Sequence, residues 1–155
     1  MANGLALLGI LNVMCGRVEP ASCTCIPAPA LPGDGELLEA ISDGAVFFTG
    51  RVIRAEPRPA SRSQESDGAG RSLRMPELVI TIAVTEAWSR SVTDTATVVT
   101  PLYSTACGAS LTPGESYLID ARFVTGGLLS TTKCSRTRPY GEAEPLIARL
   151  RQLQR

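Results

Sequence analysis

Apolar and polar positions along the chain divide it into short segments, each with one dominant period. In "LVITIAVTEAW", 78–88, Leu78, Ile80, Ile82 and Val84 fall on one face and Thr81 and Thr85 on the other, which is the alternation of a strand. "AVFFTGRVIR", Ala45 to Arg54, is dense in β-branched and aromatic residues and predicts another strand. "TATVVT" at 95–100 predicts a third and "YLIDARF" at 117–123 a fourth. The fourth runs through Gly126-Gly127, a tight-turn signal, into a fifth at "LLSTT", 128–132.

Two segments change to helical spacing. Leu37, Leu38 and Ile41 mark one face of a short helix, with Asp34 placed to cap it and Gly44 at its end. Glu142 to Arg155 forms a second, with Leu146, Ile147, Leu150 and Leu153 along one side and Pro145 in its first turn. Between the first two strands, 56–74 is a polar loop rich in Pro, Ser, Gly and Arg, read as disordered. This order predicts a mainly β fold: a five-stranded OB-fold-like barrel with a short N-terminal helix and a C-terminal helix packed on it. The 155 residues suffice for one such domain.

Ahead of these elements, Leu5 to Val13 is an apolar run of signal-peptide length, well short of the roughly 20 residues of a membrane span. Residues 1–22 are therefore expected to be an export signal, cut after Ser22, and 23–155 the domain. No basic residue precedes the run, and Pro20 lies close before the cut. A lipid anchor at Cys15 stays open. Localisation is expected to be secreted, periplasmic or at the cell surface, without stable membrane insertion after processing.

Composition narrows the chemistry. The chain has no histidine, which excludes Ser-His-Asp and Cys-His nucleophile systems and imidazole metal ligands. Ser104, Ser110 and Asp120 have no recognisable base, so no enzymatic activity and no cofactor are expected. Zero formal net charge and 5% aromatic residues argue against the basic, stacking groove that binds single-stranded nucleic acid. A monomer is expected.

Four cysteines follow the leader: Cys23, Cys25, Cys107 and Cys134. An even number in an exported chain predicts two disulfides, with three pairings open. Metal binding by the Cys-Thr-Cys stretch, or a redox role for it, is the alternative.

"CTCIP" at 23–27, "DGAVFFTGRVI" at 43–53, "TACGASLTPGESYLI" at 105–119 and "LLSTTKC" ending at Cys134 together resemble the netrin-like domain. The likeness is strongest to the N-terminal inhibitory domain of the tissue inhibitors of metalloproteinases, and it extends from Cys23 to about Leu150. It implies the pairs Cys23–Cys107 and Cys25–Cys134, each closing a loop of roughly 80 to 110 residues and contributing on the order of 4–5 kcal/mol. It also implies a partner in trans, a zinc metalloprotease. The amine and carbonyl oxygen of Cys23, as first residue, would ligate that protease's catalytic zinc. Thr24 would enter the adjoining specificity pocket, Cys25 and Ile26 would continue the inhibitory edge, and Thr105 and Ala106 would form its second side. The chain departs from the animal inhibitors in lacking a third disulfide here and their further cysteine-rich domain. The alternative is a netrin-like protein-protein interaction module without inhibitory activity.

The remaining conspicuous residues have structural readings. Trp88 is expected in the core or at the barrel rim, Tyr117 packed at a strand start, Gly108 and Gly114 in turns, and Arg136 and Arg138 in solvent.

Overall fold

Strand β1 (Ala45–Arg58) pairs along both its sides and so organises the sheet. Its first half runs antiparallel to β4 (Ser116–Phe123), from Ala45 opposite Arg122 to Arg51 opposite Ser116. Its second half runs antiparallel to β2 (Glu77–Ala87), ending with Arg58 opposite Glu77. The β1–β2 register shifts at Thr49/Gly50 and again at Val52/Arg54; such irregularities bend a strand and allow one strand to serve two sides of a curved sheet. A Cβ at Gly50 would stand 2.5 Å from the Ala83 carbonyl oxygen, so the close approach of β1 to β2 there requires glycine.

The structure is a computed structural model that describes residues 23–26, 31–59, 76–89, 91–124 and 127–154. The apolar run 5–13, Cys15, the cut after Ser22, Gly126 and most of the 56–74 loop lie outside the described residues.

Strand β2 continues antiparallel to β3 (Thr95–Pro101). The two-residue strand β5 (Leu129–Ser130) lies parallel to β3 through Val98–Leu129 and Val99–Ser130, and antiparallel to β4. The circuit β1-β2-β3-β5-β4-β1 is closed: a five-stranded mixed barrel of OB-fold-like form. Helix α1 (Asp34–Ser42) and helix α2 (Tyr140–Leu153) pack outside it. Among the described residues no helix is long and apolar enough to cross a membrane.

The apolar runs of β1 and β4 are nearly continuous because both faces of these strands are covered. Val46, Phe48, Tyr117 and Ile119 point into the barrel with Ile80, Ile82 and Val98. Phe47 and Leu118 point outward beneath Leu37 of α1 and Leu146, Ile147 and Leu150 of α2, where Trp88 joins them. Period-two alternation thus persists, but it separates two cores rather than core from solvent.

Several boundaries differ from the sequence expectation. Asp34 is not the cap of α1: Gly33 holds that position without a side-chain cap bond, and Asp34 begins the helix, paired with Arg149 of α2. Leu38 is exposed. Helix α2 starts at Tyr140, so Pro145 lies inside it. A short strand, β6 (Arg138–Pro139), pairs with Tyr117 and Leu118 and leads directly into the helix, drawing its start earlier. Strand β1 extends through 56–58, at the start of the expected loop, because these residues pair with 77–79 and Arg58 ion-pairs with Glu77.

Candidate functional site

The chain leaves β3 at Pro101 and makes a single 3-10 turn, Ser104–Ala106. The turn is closed by Ala106 N–H to the Tyr103 carbonyl and Cys107 N–H to the Ser104 carbonyl, at 3.0 and 3.1 Å. Cys107 then adopts a left-handed conformation, φ 68° and ψ 21°, which costs a non-glycine residue on the order of 1 kcal/mol or more. Gly108 permits the exit that follows. A Cβ there would lie 2.1 Å from the Pro101 carbonyl oxygen and 2.9 Å from that of Tyr103, so Gly108 serves close backbone packing, whereas Gly114, at φ 90°, serves a turn.

The exit from β5 lies alongside. Thr131 N–H donates to the Val99 carbonyl at 3.0 Å and Lys133 N–H to the Cys107 carbonyl at 2.9 Å, extending the contact between the two exits beyond the strands. Onto these exits comes the stretch 23–26. Cys23 is bonded to Cys107 and Cys25 to Cys134, with Cα separations of 5.2 and 5.1 Å, within the usual range for a disulfide. Cys23 N–H also donates to the Thr105 carbonyl at 3.0 Å. Three residues, Cys-Thr-Cys, therefore form a strap joining the end of β3 to the end of β5.

All six residues of the expected edge meet here. Thr24 and Thr105 are exposed, Cys23, Cys25 and Ala106 half-buried, and Ile26 is 91% exposed. Tyr103, 54% exposed at the head of the turn, adds an aromatic ring that the sequence reading passed over; its place before a Ser-Thr-Ala turn was its only signal. Among the described residues, the side chains grouped closely enough to hold a metal ion are Cys23, Cys25 and Cys134.

A polar scaffold supports the segment carrying Cys134. Asp120, 7% exposed on β4, accepts from Arg136 N–H at 3.1 Å and ion-pairs with the Arg136 guanidinium at 3.5 Å. Its carbonyl oxygen accepts from the Thr131 and Thr137 hydroxyls at 2.8 and 3.2 Å. Arg136 is thus not in solvent: its side chain is only 17% exposed and also meets Glu36 of α1 at 2.6 Å. Arg138 is half-buried and donates through Nε to the Arg136 carbonyl. Both corrections follow from β6, which fixes this segment against β4. The Asp120 carboxylate is committed to Arg136. The arrangement is a ridge anchored by two disulfides on which Thr24, Ile26, Tyr103 and Thr105 are exposed.

No protein-family model matches the chain, and no curated protein matches it in sequence.

Proposed function

We propose that the chain is an exported, netrin-like inhibitor of zinc metalloproteases, without enzymatic activity of its own. The observation that carries this reading is the disulfide-held ridge: Thr24 and Ile26 project from a stretch anchored at Cys23 and Cys25, with Thr105 and Ala106 alongside. A ridge already ordered before binding loses little conformational freedom when it enters an active-site cleft.

The chemistry depends on the chain starting at Cys23. An α-amino group has a pKa of about 7.7–8.0, so a substantial fraction is neutral near pH 7.5 and its lone pair can ligate zinc. A neutral amine bound through that lone pair retains two N–H groups, so the donation to Thr105 can persist. The Cys23 carbonyl oxygen is the second ligand. Together they occupy the position where a catalytic zinc holds its water, while Thr24 enters the neighbouring pocket.

The deciding experiment compares chains beginning at Cys23 with chains carrying one additional alanine, assayed against a panel of zinc proteases. The extension converts the amine to an amide and is expected to weaken inhibition by on the order of a hundredfold or more. Equal inhibition by both forms would refute zinc chelation. Inhibition by neither would favour the second reading, a protein-binding module using the exposed Ile26 and Tyr103.

A further inference from the structure

The two disulfides gather their sulfurs around that of Cys134. Besides the bonded pairs Cys23–Cys107 and Cys25–Cys134, the Cys134 sulfur lies 3.7 Å from that of Cys23 and 3.9 Å from that of Cys107. The sulfurs of Cys23, Cys25 and Cys134 all lie within 4.8 Å of one another. Zinc–thiolate bonds of about 2.3 Å in a tetrahedron place neighbouring sulfurs about 3.8 Å apart. The two contacts of the Cys134 sulfur already match edges of such a site.

We propose that, once both disulfides are reduced, Cys23, Cys25, Cys107 and Cys134 form a four-thiolate site for a single zinc ion. Each disulfide takes two electrons and two protons from a dithiol reductant, which is itself oxidised to a disulfide. The four resulting thiols then lose four protons to solvent as their thiolates bind Zn2+, giving a centre of net charge −2. The two formerly bonded sulfur pairs must separate and the Cys107 sulfur must draw in towards that of Cys25, adjustments of side-chain rotamer rather than of backbone. The backbone is already in place: the β3 and β5 exits carry Cys107 and Cys134 and are joined by Lys133 N–H to the Cys107 carbonyl. Cys134 is exposed, which leaves an entry path, and Lys133 next to it adds a positive residue beside an anionic centre. Zinc would thus replace two covalent crosslinks with one four-way crosslink at the same point. The site is separate from the inhibitory reading, in which Cys23 acts through backbone atoms and its sulfur remains in a disulfide.

The test uses the chain with both disulfides formed and the same chain reduced anaerobically with a phosphine, each titrated with Co2+ and then Zn2+. The oxidised chain is expected to take up neither. The reduced chain is expected to bind one Co2+ with the intense visible absorption of tetrahedral thiolate coordination, to exchange it for Zn2+, and to release four protons per ion. Replacing any one of the four cysteines by Ser should lower Zn2+ affinity more than about a hundredfold, beyond the loss of an outer-shell contact. Reduction alone can unfold the chain, so zinc is also added during reduction, and the near-ultraviolet dichroism of Trp88 and the melting midpoint are followed. A retained Trp88 signal and a midpoint raised by Zn2+ support the site. Absence of uptake, binding that survives Cys107→Ser or Cys134→Ser, or one ion shared between two chains would each overturn it.

Discussion

Arg136 Nη2 lies 2.6 Å from Glu36 Oε1, joining the segment that carries Cys134 to a helix one hundred residues earlier in the chain. The same guanidinium reaches inward to Asp120. One side chain therefore couples α1, β4 and the β5 exit, and its two partners differ sharply in burial: Asp120 is 7% exposed as a residue, while the Glu36 side chain is 43% exposed.

That difference sets the first prediction. Arg136→Ala leaves the Asp120 carboxylate buried without its cation and should cost about 2–4 kcal/mol. Glu36→Gln removes only the half-exposed partner and should cost less than about 1 kcal/mol. Urea unfolding of both variants with disulfides intact checks the ranking; equal losses would contradict it.

Gly108→Ala places a methyl against two backbone carbonyls that cannot rotate away. A loss of about 2–4 kcal/mol is expected, with slower formation of Cys23–Cys107 on refolding. Gly114→Ala meets open space on all but one distant side and should cost only the strain of its positive φ, about 1 kcal/mol. Thermal melts of the pair separate crowding from backbone strain.

The disulfides should not contribute additively. Their separations of 84 and 109 residues give similar loop-entropy gains when each is considered alone, about 4.6 and 4.8 kcal/mol. With Cys23–Cys107 formed, however, closing Cys25–Cys134 constrains only about 29 residues, because Cys107 and Cys134 are 27 apart. The second bridge should then add about 3.6 kcal/mol, roughly 1 kcal/mol below its value alone. A double-mutant cycle using paired Cys→Ser replacements measures this directly.

Glu86 on β2 supplies the pH prediction. The hydrogen bond from Arg151 of α2 holds its carboxyl below the ordinary glutamate value, and the same pairing raises Arg151. A depressed folded-state pKa stabilises the protein above the unfolded value of about 4.3, and that stabilisation is lost as pH falls through the folded value. Glu86→Gln should therefore be less stable than the parent at pH 6, with the gap closing below about pH 4. A gap that widens on acidification would reverse the assignment.

Much of the barrel was legible because its strands carry strong local signals. The alternation from Leu78 to Val84 and the cluster Ala45–Phe48 needed no distant information to be recognised. Strand β6 was not legible: Arg138–Pro139 has no β pattern and is a strand only because Tyr117 and Leu118 offer it an edge. The misplaced start of α2 followed from that omission. The burial of Arg136 was hidden for the same kind of reason, since its partners Glu36 and Asp120 are far away in sequence. At the candidate site the cysteines announced themselves by number and spacing, but the neighbouring Tyr103 and the crowding at Gly108 depend on how the β3 exit turns, which a local pattern does not encode.

The seam between β3 and β5 holds only two residue pairs, as does the one between β5 and β4, so the barrel is narrowest around β5 while its other walls are longer ladders. A closed barrel breathes where its ladder is shortest, and local opening there would expose backbone amides to exchange without unfolding the rest. The Cys-Thr-Cys strap crosses beyond the seam between β3 and β5 and ties both its ends. In the oxidised chain, amides at Val98, Val99 and Thr131 should consequently exchange nearly as slowly as the central strands. Reduction should release them first, turning one cooperative unit into a hinge of two.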